Sequence, residues 1–95
     1  MTPTAAPEFL QKAMDAIQNR AAERDQEQER SMARCVDVFN ALTGHALSER
    51  EGWMFMVCLK MVRAQQGRLQ LDDYVDGSAY FGLAGEAAVS EAGEV

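Results

Sequence analysis

The chain has no run of apolar residues near the ~20 that a membrane-spanning helix requires. Met1 to Leu10 also lacks the basic start and apolar middle of a secretion signal, so the expected setting is a cytoplasm, without membrane attachment. Basic residues are scarce: 9 Lys and Arg stand against 15 Asp and Glu, a formal charge of −6. That balance argues against nucleic acid as a partner, because affinity for phosphate backbones needs clustered Lys and Arg. There is a single histidine, His45, which excludes a histidine-based metal cluster and, beside Gly44, reads as part of a solvated loop. The two cysteines, Cys35 and Cys58, each fall on an apolar helical face. A reducing compartment keeps them as thiols, and apolar surroundings leave them inert. No segment alternates polar and apolar residues with the period of a strand, which leaves an all-α fold. No complete catalytic signature occurs either, so no residue is assigned a catalytic role.

What is present is punctuation for about four helices in one small domain spanning residues 1–95, with 1–6 and 90–95 as loose ends. Phe9, Leu10, Ala13, Met14, Ile17 and Ala21 recur at helical spacing and predict a first helix from about Pro7 to about Arg24. The polar run from Glu23 to Arg30 is a linker or a solvated extension, with a break expected near Asp25. Ser31 is a plausible N-cap for a second helix, whose face of Met32, Cys35, Val36, Phe39 and Leu42 ends at Thr43-Gly44.

Ser48-Glu49-Arg50-Glu51 fits a capping box and starts a third helix near Glu49, which Gly67 stops after about Gln66. From Trp53 to Val62 this helix is apolar at every position but Lys60, so it predicts a central element covered on several sides. Trp53 is expected to anchor packing, and Met54, Met56 and Met61 to fill the core. Three short helices are thin cover for such a segment, and a homo-oligomer is the expected remedy. The fourth helix starts at Asp72 or Asp73 and carries Val75, Ala79, Tyr80, Phe81 and Leu83 to about Val89. Gly77, Gly82 and Gly85 weaken it in isolation and suggest close helix approach.

The acidic start of helix four follows closely on the two cations of helix three. In a hairpin turning near Leu69, Arg63 faces Asp76 and Lys60 faces Tyr80. One reading makes Arg63 and Asp76 a partly buried ion pair while Asp72 and Asp73 cap the helix. The other makes Asp73 and Asp76 ligands of Mg²⁺, a hard cation that prefers carboxylate oxygens. Lys60 and Arg63 then grip the phosphates of a nucleotide, with Tyr80 as a third ligand-binding residue.

The run Glu29-Arg30-Ser31-Met32, then Phe39-Asn40-Ala41-Leu42-Thr43-Gly44, Gly52-Trp53, Leu59-Lys60-x-x-Arg63 and Asp72-Asp73-Tyr74-x-Asp76-Gly77-x-Ala79-Tyr80 resembles a family of short helical proteins encoded by tailed phages and prophages. The resemblance covers roughly Glu23 to Glu86 and implies a phage accessory protein acting in the host cytoplasm. A more distant similarity is to the all-α nucleoside triphosphate pyrophosphohydrolases of the MazG type. These are helical oligomers that hold Mg²⁺ with a Glu-Glu-x-x-Glu motif and a later Glu-x-x-Asp motif. Asp73-x-x-Asp76 stands for the second motif, whereas no Glu-Glu pair occurs anywhere and Glu23, Glu27 and Glu29 lack the spacing of the first. Three functions follow as expectations: a MazG-like nucleotide-binding or pyrophosphate-releasing oligomer, a non-enzymatic protein that sequesters a host signalling nucleotide, or a protein that binds a host protein through its acidic surface.

Overall fold

The computed structural model describes residues 2–24 and 31–93, the side chains of residues 20–24 excepted. It is all-α: α1 (Ala6–Arg24), α2 (Met32–Thr43), α3 (Glu49–Ala64) and α4 (Leu71–Glu91), with no strand among the described residues. No helix among them is long and apolar enough to cross a membrane. The expected break near Asp25 falls at residues 25–30, outside the described residues.

Local chemistry accounts for most helix ends. At the start of α1 the Thr4 hydroxyl and the Ala5 N–H both donate to the Glu8 carboxylate, at 3.2 and 3.0 Å, so one acidic side chain in the first turn satisfies the entering backbone. Pro3, just before this turn, is buried. The capping box of α3 is complete: the Glu51 N–H donates to Ser48 Oγ at 3.1 Å and the Ser48 N–H donates to Glu51 Oε1 at 2.9 Å. Gly44 ends α2 in the left-handed region at φ 79°, where its N–H reaches the Asn40 carbonyl at 2.8 Å. The Asn40 amide then clamps the loop, donating to the Leu47 carbonyl and accepting from the Leu47 N–H, each at 2.9 Å. His45 lies exposed in this loop, stacked on Phe39.

Two caps differ from expectation. Ser31 precedes α2 with helical dihedrals and makes no side-chain cap bond. Neither Asp72 nor Asp73 caps α4; Gln70 occupies that position without a side-chain bond, and both aspartates sit in the first turn, where they favour the positive end of the helix dipole. Helix α3 ends at Ala64, and Gly67 lies beyond it in the turn, at φ 66°.

The helices pack in series: α2 on α3, α3 on α4, and α4 on α1. Burial is deepest along α4, which contributes Val75, Ala79, Leu83, Ala84 and Ala87, whereas α3 contributes Gly52 and Trp53. On one side of α4, Trp53 packs with Leu83, Ala84 and Ala87, and Met32, Met54 and Met56 close around them. On the other, Ala13 meets Val75 and Ala79 beside Phe9. Ile17 joins the two clusters. Small residues on α4 allow both neighbours to come close, which explains why a helix weakened by three glycines is nevertheless the best covered.

The glycines divide sharply. A Cβ on Gly77 would meet the Lys60 Cβ at 3.5 Å, an ordinary contact, and one on Gly82 or Gly85 would meet nothing within 4 Å, so those two do not mark a close approach. The tight position is Gly52, where a Cβ would lie 2.5 Å from Met32 Sδ and 2.8 Å from Val36 Cγ1. Met32 can rotate away, but the β-branched Val36 is stiff at χ1 and buried. We therefore expect Gly52→Ala to cost ~1–3 kcal/mol by overpacking the α2–α3 crossing. Gly85→Ala should stabilise by ~0.5–1 kcal/mol through helix propensity. Urea unfolding followed by circular dichroism measures both, and equal signs would contradict this packing.

Candidate functional site

The hairpin of α3 and α4 brings basic and acidic residues together, one turn of helix away from the expected register. With α3 ending at Ala64 and α4 beginning at Leu71, the turn is centred near Gly67 and Arg68 rather than at Leu69. In an antiparallel pair a small shift of the centre moves each residue's partner by twice that amount, close to one helical turn here. Lys60 therefore takes the place expected for Arg63. Its Nζ lies 3.1 Å from Asp76 Oδ2 and 3.8 Å from Asp73 Oδ1. Arg63 is exposed at the next turn of α3. Tyr80, expected to face Lys60, stacks instead on Trp53, with ring centroids 5.8 Å apart and planes inclined by 22°.

The Lys60, Asp73 and Asp76 side chains retain only 13%, 11% and 18% of their exposure. An ammonium withdrawn this far from water needs compensating charge, and two carboxylates one helical turn apart provide it. Gly77 faces the stem of Lys60, where an added Cβ would make only an ordinary contact with the Lys60 Cβ at 3.5 Å. Further along the same hairpin the Trp53 indole N–H donates to Glu49 Oε2 at 3.3 Å, and Arg50 meets Glu91 at 3.4 Å.

Cys35 and Cys58 are free thiols, as the sequence reading has them, but both are exposed rather than enclosed by apolar neighbours. A hollow of about 390 Å³ that sequence reasoning did not anticipate lies between the N-terminal segment and the start of α4, lined by Thr2, Pro3, Lys12, Gln70, Leu71 and Asp72. Nothing in the spacing of Pro3 and Lys12 signals that they meet α4. Among the described residues, no group of three or more His, Cys, Asp or Glu gathers in a way that could hold a metal ion.

Residues 8–88 match the model of a family described as a domain of unknown function, DUF6378, and the chain belongs to that family. No curated protein and no solved structure matches the chain.

The geometry separates the two cations. Lys60→Met leaves two largely buried carboxylates without their counter-charge and is expected to lower stability by ~1–3 kcal/mol. Arg63→Met, at an exposed position, should change stability by under ~0.5 kcal/mol. Chemical denaturation of the two variants side by side measures the difference, and an equal loss would place Arg63 in the ion cluster.

Proposed function

We propose that this DUF6378 protein binds the phosphate groups of a nucleotide at the α3–α4 hairpin, as a MazG-like protein acting in a phage-infected host cytoplasm. The observation that carries this reading is the convergence of Asp73 and Asp76 on one cation, the Lys60 ammonium. Two carboxylates aimed at a common point match the donors Mg²⁺ takes, since that ion is commonly held through one or two carboxylates, water and substrate phosphates. Asp73 and Asp76 would hold the metal, which supplies charge neutralisation on the phosphates. Lys60, released from the carboxylates, and the exposed Arg63 then contact the phosphates, Lys60 as a compact charge and Arg63 as a planar fork. Tyr80, one turn of α4 beyond Asp76 and stacked on Trp53, would border the bound nucleotide.

A second reading is supported by the short Lys60–Asp76 contact itself. If Lys60 keeps the carboxylates neutralised, the binding group is Arg63 alone. The protein then retains a host signalling nucleotide without metal or turnover.

Thermal shift against nucleoside triphosphates and cyclic nucleotides, with and without Mg²⁺, distinguishes the two. A ligand at a hundred times its dissociation constant adds ~2.7 kcal/mol of stability. The first reading expects stabilisation that requires Mg²⁺ and disappears in Asp73→Asn and Asp76→Asn, with pyrophosphate release as the readout of chemistry. The second expects metal-independent stabilisation that disappears in Arg63→Ala. No shift with any nucleotide would reject both.

A further inference from the structure

Helix α2 is the least secured element of the fold. Nine of its twelve residues are exposed, Met32 and Asn40 are half-buried, and Val36 alone is buried. Among the described residues it packs on α3 alone, whereas α4 is held from two sides and buries five of its residues. The apolar anchorage of α2 is Met32 and Val36 at Gly52, little burial to offset the entropy of ordering twelve residues. Its C-terminal end is tied by Asn40 to Leu47, but both of those bonds lie at the surface, where water replaces them at small cost.

Nor does α2 stand well by itself. Its N-terminus has no side-chain cap and no acidic residue in the first turn, and its last turn has no basic one. Val36, Val38 and Thr43 are β-branched, and Asp37 and Asn40 are weak helix formers. A helix of twelve residues without such support is marginal in water, so α2 melts on leaving α3. Helix α3 does not depend on α2 in return: its capping box is complete within residues 48–51, and another of its faces lies on α4. The connection from Gly44 to Leu47 is exposed throughout, and Gly44, in the left-handed region, has no atom within 4 Å of where a Cβ would stand, so the chain has room to bend there.

We propose that α2 is a lid on α3, hinged at residues 44–48, which opens and melts as a unit while α1, α3 and α4 stay folded. Opening withdraws Met32 from the cluster around Trp53 and bares α3 at Gly52, the notch that Met32 and Val36 fill when the lid is shut. The proposal is independent of the nucleotide reading. Hydrogen exchange of the full chain, resolved by residue, tests it. Amides from Val36 to Thr43 should be protected, but at least ~100-fold less than those at the centres of α3 and α4, because they exchange through lid opening rather than global unfolding. A change in the body of the fold then separates the two routes. Val75→Ala, in the cluster on the α1 side of α4, destabilises the closed and open forms alike, so it should speed exchange in α4 by roughly tenfold and leave α2 unchanged. Gly85→Ala, in open space, should slow α4 by roughly two- to fivefold and again leave α2 unchanged; it decides if Val75→Ala does not fold. Equal protection in α2 and α4, or an α2 rate that follows α4 in either variant, overturns the proposal. So does an α2 without any protection, since no closed lid would exist.

Discussion

The Lys60 ammonium, almost withdrawn from water between Asp73 and Asp76, is the constraint around which the α3–α4 hairpin is arranged. A cation in an otherwise apolar helix face can be buried only where the opposing helix offers opposite charge, and α4 offers it within one turn. That match selects one register. With Lys60 in place, Trp53 lies over Tyr80 and against Leu83, Ala84 and Ala87, and Arg50 reaches Glu91 at the far end. Sliding the hairpin by one turn would part the ammonium from Asp76 and lift the indole off its alanine floor together.

The same arrangement explains the allocation of side-chain size. Helix α4 is held on two sides, by α1 and α3, and carries small residues where they approach. Helix α3 is richer in large apolar residues, but only part of its circumference meets α4 and α2. Phe55 and Val62 therefore remain at the surface although they belong to the nearly unbroken apolar run from Trp53 to Val62. Helix α2, held through Val36 and Met32 over Gly52, is an arm on the edge of the molecule, with most of its apolar stripe unpartnered. A chain of 95 residues has too little interior to satisfy four apolar faces, and each helix keeps large apolar side chains at the surface, Leu10 on α1, Leu42 on α2, Phe55 on α3 and Phe81 on α4 among them.

For the candidate site, the same charges have two uses. Two carboxylates that hold an ammonium are a structural device, and they are also an oxygen donor pair suited to a hard cation. The Lys60 stem is flexible and its head is a compact charge, so exchange between the two uses needs no change in the helices.

Sequence by itself determined the helices and most of their ends. The capping box at Ser48 and Glu51, the left-handed Gly44, the turn at Gly67 and the absence of strand periodicity act within a few residues of chain and can be read there. It also indicated that the cations of α3 would meet the acids of α4, because a short connection leaves the two helices little choice but to lie side by side. Tertiary structure alone decided which cation met which acid, since the turn centre sets the register and a shift of about a residue exchanges Lys60 for Arg63. It alone made Gly52 a contact point and left Gly82 and Gly85 in open space. It alone exposed Cys35 and Cys58, whose apolar stripes look in sequence like any buried face. Periodicity specifies that a helix has an apolar side; what covers that side depends on residues far away in the chain, and on how much covering surface the whole molecule has to give.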